Sequence, residues 1–119
     1  MYQIKFWRDE KGKEPVKEFL RNLYSSGDKA SKKRADKINS YLAVLRQYGT
    51  FIGEPYVKHI EKEIWELRPA RDRIFFAAWH NNELVLLHQF FKTTQKTPPR
   101  EIEIARRRLA DLRAKEESK

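Results

Sequence analysis

The sequence predicts an α+β domain built around an antiparallel sheet, and three observations carry that expectation. Apolar residues recur at helical spacing in the first half of the chain and again near its end. From Tyr56 the period changes to two, as in strands with distinct faces. The resulting order is a strand, two helices, a run of strands and a last helix, which belongs to α+β folds rather than to alternating ones. A length of 119 residues fits one domain over residues 1–119, because a second core would leave both halves marginal.

Each element has its own signal. Tyr2 to Trp7 is rich in aromatic residues, alternates loosely and reads as a strand. Pro15 suits the first turn of a helix whose apolar positions are Val16, Phe19, Leu20, Leu23 and Tyr24, with Gly27 as its stop. Asp28 can cap a second helix with a stripe of Ile38, Leu42, Leu45 and Tyr48, closed by Gly49. The first half of that helix, Lys29 to Lys37, is polar enough to stand in solvent. Tyr56–Ile60, Ile64–Arg68, Arg73–Trp79 and Leu84–Lys92 read as strands, and Asn81-Asn82 marks a tight hairpin. Thr97 is the expected cap of a third helix with Pro98 in its first position and Ile102, Ala105, Leu109 and Leu112 on a narrow apolar face.

Composition narrows the function. There are no cysteines, so disulfides, thiolate metal sites and a thiol nucleophile are excluded, and His59 and His80 show no ligand spacing. No apolar run is long enough for a signal peptide or a membrane span, which places the chain among soluble cytoplasmic proteins. The net charge of +9 favours a polyanionic partner, although solubility alone also accounts for such a surplus. Residues 1–54 carry 12 basic and 7 acidic groups, residues 55–91 carry 5 of each, and residues 92–119 carry 9 and 5. The middle of the chain is thus neutral between two basic segments.

Several polar residues interrupt the strands. If the two helices cover one sheet face, alternation gathers Glu66, Arg68, Arg73, His88 and Lys92 on the other, interleaved with Phe90 and Trp79. Val85, Leu87 and Phe91 then form the opposite row of the last strand. Cations among aromatic rings suit a single-stranded nucleic acid, charge holding phosphates and rings stacking on bases. Each residue also has a plainer reading: a Glu66–Arg68 salt bridge, an edge-protecting Lys92, a hydrogen-bonded boundary His88. The Arg106–Arg108 run is the wet side of a helix near its C-terminus, or a docking surface.

Longer motifs reach further. Trp65-Glu66-Leu67-Arg68, Asp72-Arg73-Ile74-Phe75 and the stretch LVLLHQFFKTTQKTPPREIEIA from Leu84 to Ala105 resemble the HigB-type, phage-derived toxins of the RelE/ParE superfamily. Glu14-Pro15-Val16 after the first strand also fits, so the resemblance spans nearly the whole chain. It implies a RelE-like fold: a twisted antiparallel sheet, an N-terminal helical hairpin on one face and a C-terminal helix.

The resemblance further implies a ribosome-dependent mRNA endonuclease that inhibits translation and is held inactive by a cognate HigA-like helix-turn-helix antitoxin. Operator DNA would be bound only through that complex. The implied chemistry needs neither metal nor cofactor: the 2′-hydroxyl attacks the adjacent phosphorus, leaving a cyclic phosphate and a free 5′-hydroxyl. Such an attack requires a proton acceptor, a proton donor and cations around the pentacoordinate phosphorus. By position, Arg68 and Arg73 become phosphate clamps, Lys92 the general base and His88 the proton donor. Lys58 is a further basic residue at the site, Phe90 a stacking platform, and Lys96 and Arg100 contacts to the RNA backbone. Related toxins often place a catalytic Tyr or His near the C-terminus; this chain has no Tyr after Tyr56 and no His after His88, which leaves the acid and base assignments open. The same fold also serves ParE-like inhibitors of DNA gyrase, and a non-enzymatic subunit of operon autoregulation is a third reading.

Overall fold

A computed structural model describes residues 1–118. Five strands and three long helices follow in the order β1 (Gln3–Phe6), α1 (Pro15–Ser25), α2 (Lys29–Tyr48), β2 (Val57–Glu61), β3 (Ile64–Leu67), β4 (Asp72–Ala78), β5 (Glu83–Phe91) and α3 (Pro99–Glu117), with a short 3₁₀ turn at Gly49–Ile52. The strands form one sheet in the order β1-β5-β4-β3-β2. Four of them pair antiparallel, but β1 runs parallel to β5, so the sheet is mixed and not wholly antiparallel. Local pattern could not reveal that pairing, because the partner of β1 is distant in sequence, Gln3 pairing with Glu83. No helix among the described residues is long and apolar enough to cross a membrane.

Local chemistry explains most boundaries. Pro15 opens α1, where its missing N–H costs nothing. The Asp28 side chain accepts from the Ser31 N–H and caps α2. Gly49 ends α2 at φ +61°, and a Cβ there would meet the Tyr2 ring at 2.5 Å, so the position admits only glycine. Asn81 and Asn82 both adopt positive φ, the geometry of a type I′ turn joining β4 to β5. The third helix departs from expectation: Pro98, not Thr97, occupies the cap and Pro99 the first position, with no side-chain capping bond.

The sheet is sandwiched. One face packs on α1 and α2 through Val16, Leu20, Leu23, Ala35, Ile38, Leu42 and Leu45. The other packs on α3 through Ala105 and Leu109, which meet Ile64, Phe75, Ala77, Val85, Leu87 and Phe90. Tyr48 stays exposed rather than joining the α2 stripe.

A bulge in β5 decides which residues reach which face. Phe76 pairs with Leu86 but Phe75 pairs with His88, so Leu87 is the extra residue. Strict alternation therefore fails after Leu87. Val85 and Leu87 face α3 together with His88 and Phe90, while Phe91 turns to α2. The polar start of α2 is likewise not all in solvent. Ala35 is fully buried, and the Arg34 guanidinium donates to both carboxylate oxygens of Asp72 at 3.0 and 2.7 Å. Asp72 is only 2% exposed and also accepts from the Gln89 amide at 3.1 Å. Removing the cation would strand a buried carboxylate. Arg34→Met is therefore expected to lower unfolding free energy by about 3 kcal/mol, and adding Asp72→Asn should recover part of the loss. Urea denaturation checks both; an unchanged midpoint in the single variant would show that Gln89 and water suffice for Asp72.

Candidate functional site

The sheet register assembles the site. Lys58, Glu66, Phe75 and His88 stand in one row across four strands, and Arg73 pairs with Phe90 in the next. Arg68 follows β3 directly, on the same side. At the end of this face Glu66 is 2% exposed, and its Oε1 lies 3.3 Å from Arg68 Nε and 3.9 Å from Arg73 Nε. Glu54 reaches the other side of the Arg68 guanidinium at 3.5 Å.

One carboxylate thus holds two arginines on the same face. The Arg73 guanidinium is fixed further by the carbonyls of Ala70 and Asp72, to which its Nη1 donates at 2.6 and 3.0 Å. Ala70 adopts φ +57°, an uncommon conformation for a residue with a Cβ, within the turn that presents its carbonyl to Arg73. Burial pulls the Arg73 guanidinium below its ordinary value, opposed by Glu66 and reinforced by Arg68. The hydrogen-bonding capacity of the cluster is not filled: Glu66 Oε2, Arg68 Nε and Arg73 Nε are buried without a hydrogen-bond partner. Such a group of preorganised, incompletely satisfied charges suits an anion whose charge grows during reaction.

Beside the cluster opens a cleft of about 530 Å³ lined by Arg71, Arg73, Lys92, Thr93, Thr94 and Gln95. Arg71 of the turn before β4, Arg73 of β4 and Lys92 just after β5 thereby meet around one space. The Lys92 N–H donates to the Arg71 carbonyl at 2.8 Å and fixes one segment on the other.

The remaining expected residues are placed differently. His88 lies under α3, its Nε2 at 2.7 Å from Glu101 Oε1, and it does not line the cleft. Phe90 is 7% exposed and packed between His88 and Phe75, with centroids at 6.0 and 5.4 Å, so neither ring face is open for stacking. Lys58 is exposed on the edge strand β2. Lys96 and Arg100 are exposed around the start of α3, the latter 3.8 Å from Glu101. Trp79 sits at the opposite end of the sheet, donating to Glu116 of α3 at 2.9 Å, and takes no part in the cationic group.

The Arg106–Arg108 run is not a free basic patch. Arg106 donates to both oxygens of Glu61, while Arg108 donates to the Leu87 carbonyl and lies over the Trp7 ring. Only Arg107 of the three makes no ion pair or side-chain hydrogen bond among the described residues. Arg71 escaped the sequence reading altogether, since nothing in a Pro69-Ala70-Arg71 turn marks it as facing the same cleft as Lys92.

Comparison with known families bears on this arrangement. The family model described as "Phage derived protein Gp49-like (DUF891)" matches residues 28–110, from the α2 cap into α3, and so takes in Glu66, Arg68, Arg73 and Lys92. No curated protein matches the chain.

The His88 geometry has a measurable consequence. Burial depresses its imidazole below the ordinary 6.5, against the opposing pull of the Glu101 hydrogen bond. The native imidazole is therefore neutral near pH 7 and donates to Glu101. Because the unfolded chain takes up this proton first, the stability involved is present above pH 6.5 and is lost as pH falls toward the lower native value. NMR titration should place the His88 midpoint below 6.5, and His88→Gln, which keeps an N–H for Glu101, should soften the acid-side fall in melting temperature. A midpoint above that value would mean that ion pairing with Glu101 outweighs burial.

Proposed function

Because the chain belongs to the phage-derived Gp49-like family, which is a RelE/ParE-like toxin family, we propose that it is the toxin of a type II toxin–antitoxin module of the HigB type and cuts mRNA on the ribosome. The observation that carries this reading is the Glu66-anchored pair of arginines beside a cleft that Arg73 shares with Arg71 and Lys92. A protein that acts only by blocking a partner does not need convergent, under-satisfied cations at the end of a sheet.

In this reading the scissile phosphate lies in the cleft against Arg73. The 2′-hydroxyl gives its proton to the neutral amine form of Lys92 as its oxygen attacks phosphorus in line, which leaves Lys92 an ammonium beside the pentacoordinate centre. Arg68 and Arg73 stabilise the charge on the pentacoordinate centre, a task suited to guanidinium groups that stay protonated. Glu66 orients both and keeps two neighbouring cations from repelling one another apart. His88 is a positioning residue here, tying β5 to the start of α3 through Glu101. The leaving 5′-oxygen takes its proton from water in the open cleft. The open cleft supports ribosome dependence: it lacks a second wall to align the RNA, and the ribosome would supply one. An antitoxin of the HigA type silences the protein by covering the cationic end of the sheet.

Induction of the protein in a bacterial host, with transcript 5′ ends mapped before and after, tests the reading. New 5′ ends inside coding regions are expected, and Arg73→Ala or Lys92→Ala should each lower their rate of appearance by about 100-fold or more. Growth arrest without such cleavage would sink the nuclease assignment, and arrest with broken DNA would point instead to gyrase.

A further inference from the structure

The cleft is not the only basic concavity at this end of the molecule. Between α2 and the β3–β4 turn lies a groove of about 670 Å³ lined by Lys33, Lys37, Pro69, Ala70, Arg71 and Phe91, among others. We propose that this groove is a second RNA subsite, in which the base of a nucleotide flanking the scissile one stacks on Phe91 while Lys33, Lys37 and Arg71 hold its phosphates. The inference rests on the nuclease reading only for its choice of polyanion.

Three observations carry it. The first is Phe91 itself, which is 44% exposed at the end of a strand whose other aromatic residue is buried. The bulge at Leu87 turns Phe91 toward α2, and Arg34 lies 4.9 Å from its ring centroid. Arg34 in turn is locked by Asp72, so the ring is held on one side by a fixed guanidinium and open on the other. A rigid exposed aromatic is a ready stacking platform, tolerant of base identity.

The second is charge. Arg34 and Asp72 neutralise each other, whereas Lys33, Lys37 and Arg71 make no ion pair among the described residues. The one other acid in the groove is Asp36, so the walls carry an excess of positive charge. The third is continuity. Arg71 lines both the groove and the catalytic cleft, so a strand leaving the cleft past Arg71 enters the groove directly. An isolated apolar groove would fit an amphipathic peptide equally well; one that shares an arginine with a phosphate site fits the continuation of the same polyanion.

The test uses the full chain and a fluorescent 12-nucleotide single-stranded RNA methylated at every 2′-oxygen. That probe cannot be cut by 2′-hydroxyl attack, so binding is read apart from chemistry. Phe91→Ala should weaken binding about tenfold and Phe91→Trp should restore it, as stacking requires. Lys33→Gln with Lys37→Gln should weaken binding and flatten its dependence on salt by about 1.4 in the log–log slope. The melting temperature of each variant is measured alongside; because both lysines are exposed, that pair decides the matter if Phe91→Ala unfolds. The subsite is refuted if the unaltered protein does not bind the strand, if all variants bind it like the unaltered protein, or if the variants lose only an acidic peptide offered in its place. Loss of binding in these variants with no cleavage by the unaltered protein would keep the subsite and remove the nuclease. Cleavage with unchanged binding would do the reverse.

Discussion

The functional end of this molecule depends on two buried carboxylates that must find cations. Asp72 and Glu66 are each about 2% exposed, and they lie on opposite faces of the sheet. A carboxylate taken out of water is tolerable only when paired and hydrogen-bonded, so each dictates where an arginine goes. Asp72 draws Arg34 of α2 onto the sheet and thereby docks the helical hairpin. Glu66 draws Arg68 and Arg73 together on the other side. Since Asp72 and Arg73 are adjacent in β4, one segment is clamped from both faces, and the turn before it has little freedom. Under the proposed activity that rigidity matters, because phosphate chemistry rewards cations already in position.

The same segment shows what a sequence can and cannot say. Capping by Asp28, closure by Gly49, the Asn81-Asn82 turn and the apolar faces of α1 and α3 are set by neighbours within a few residues, and all were legible. The grouping of Glu66, Arg68 and Arg73 on one face followed from alternation within β3 and β4. What failed depended on distant partners. The parallel pairing of β1 with β5 joins segments far apart in sequence, Gln3 with Glu83. The bulge at Leu87 breaks a period of two without any local mark in LVLLHQFF, and it puts Val85 and Leu87 on the face of His88 and Phe90 instead of in one row with Phe91. Arg34 looked like one solvated cation among several, because the acid that claims it lies 38 residues away.

The distribution of charge also acquires a structure that composition hides. On α3 much of the basic complement is engaged internally: Arg106 with Glu61 and Glu103, Arg113 with Glu63, Lys115 with Asp111, and Arg108 with the Leu87 carbonyl and Trp7. The bonds to Glu61, Glu63 and the Leu87 carbonyl fasten α3 to the sheet while those to Glu103 and Asp111 stay within the helix, so the helix richest in arginine offers few of them to a partner. On α2 the reverse holds. Lys29, Lys32, Lys33 and Lys37 make no ion pair among the described residues, and they continue the basic surface that begins at Arg71. The surplus that a polyanion can reach thus gathers around the β3–β4 turn and the start of α2.

That asymmetry bears on how such a protein can be both stable and ready to bind a polyanion. Exposed pairs of the α3 kind contribute little each, but they neutralise charge that would otherwise oppose folding. Unpaired lysines on α2 and under-satisfied guanidinium groups near Glu66 keep a cost in the free protein that an anion relieves on arrival. In the proposed reading, binding energy is then concentrated where a phosphate chain can follow a continuous path, from the Arg73 and Lys92 cleft past Arg71 to Phe91. An inhibitor that covers Arg71 would interrupt that path at the one residue common to both concavities, and it would need to bury only a small part of the surface to do so.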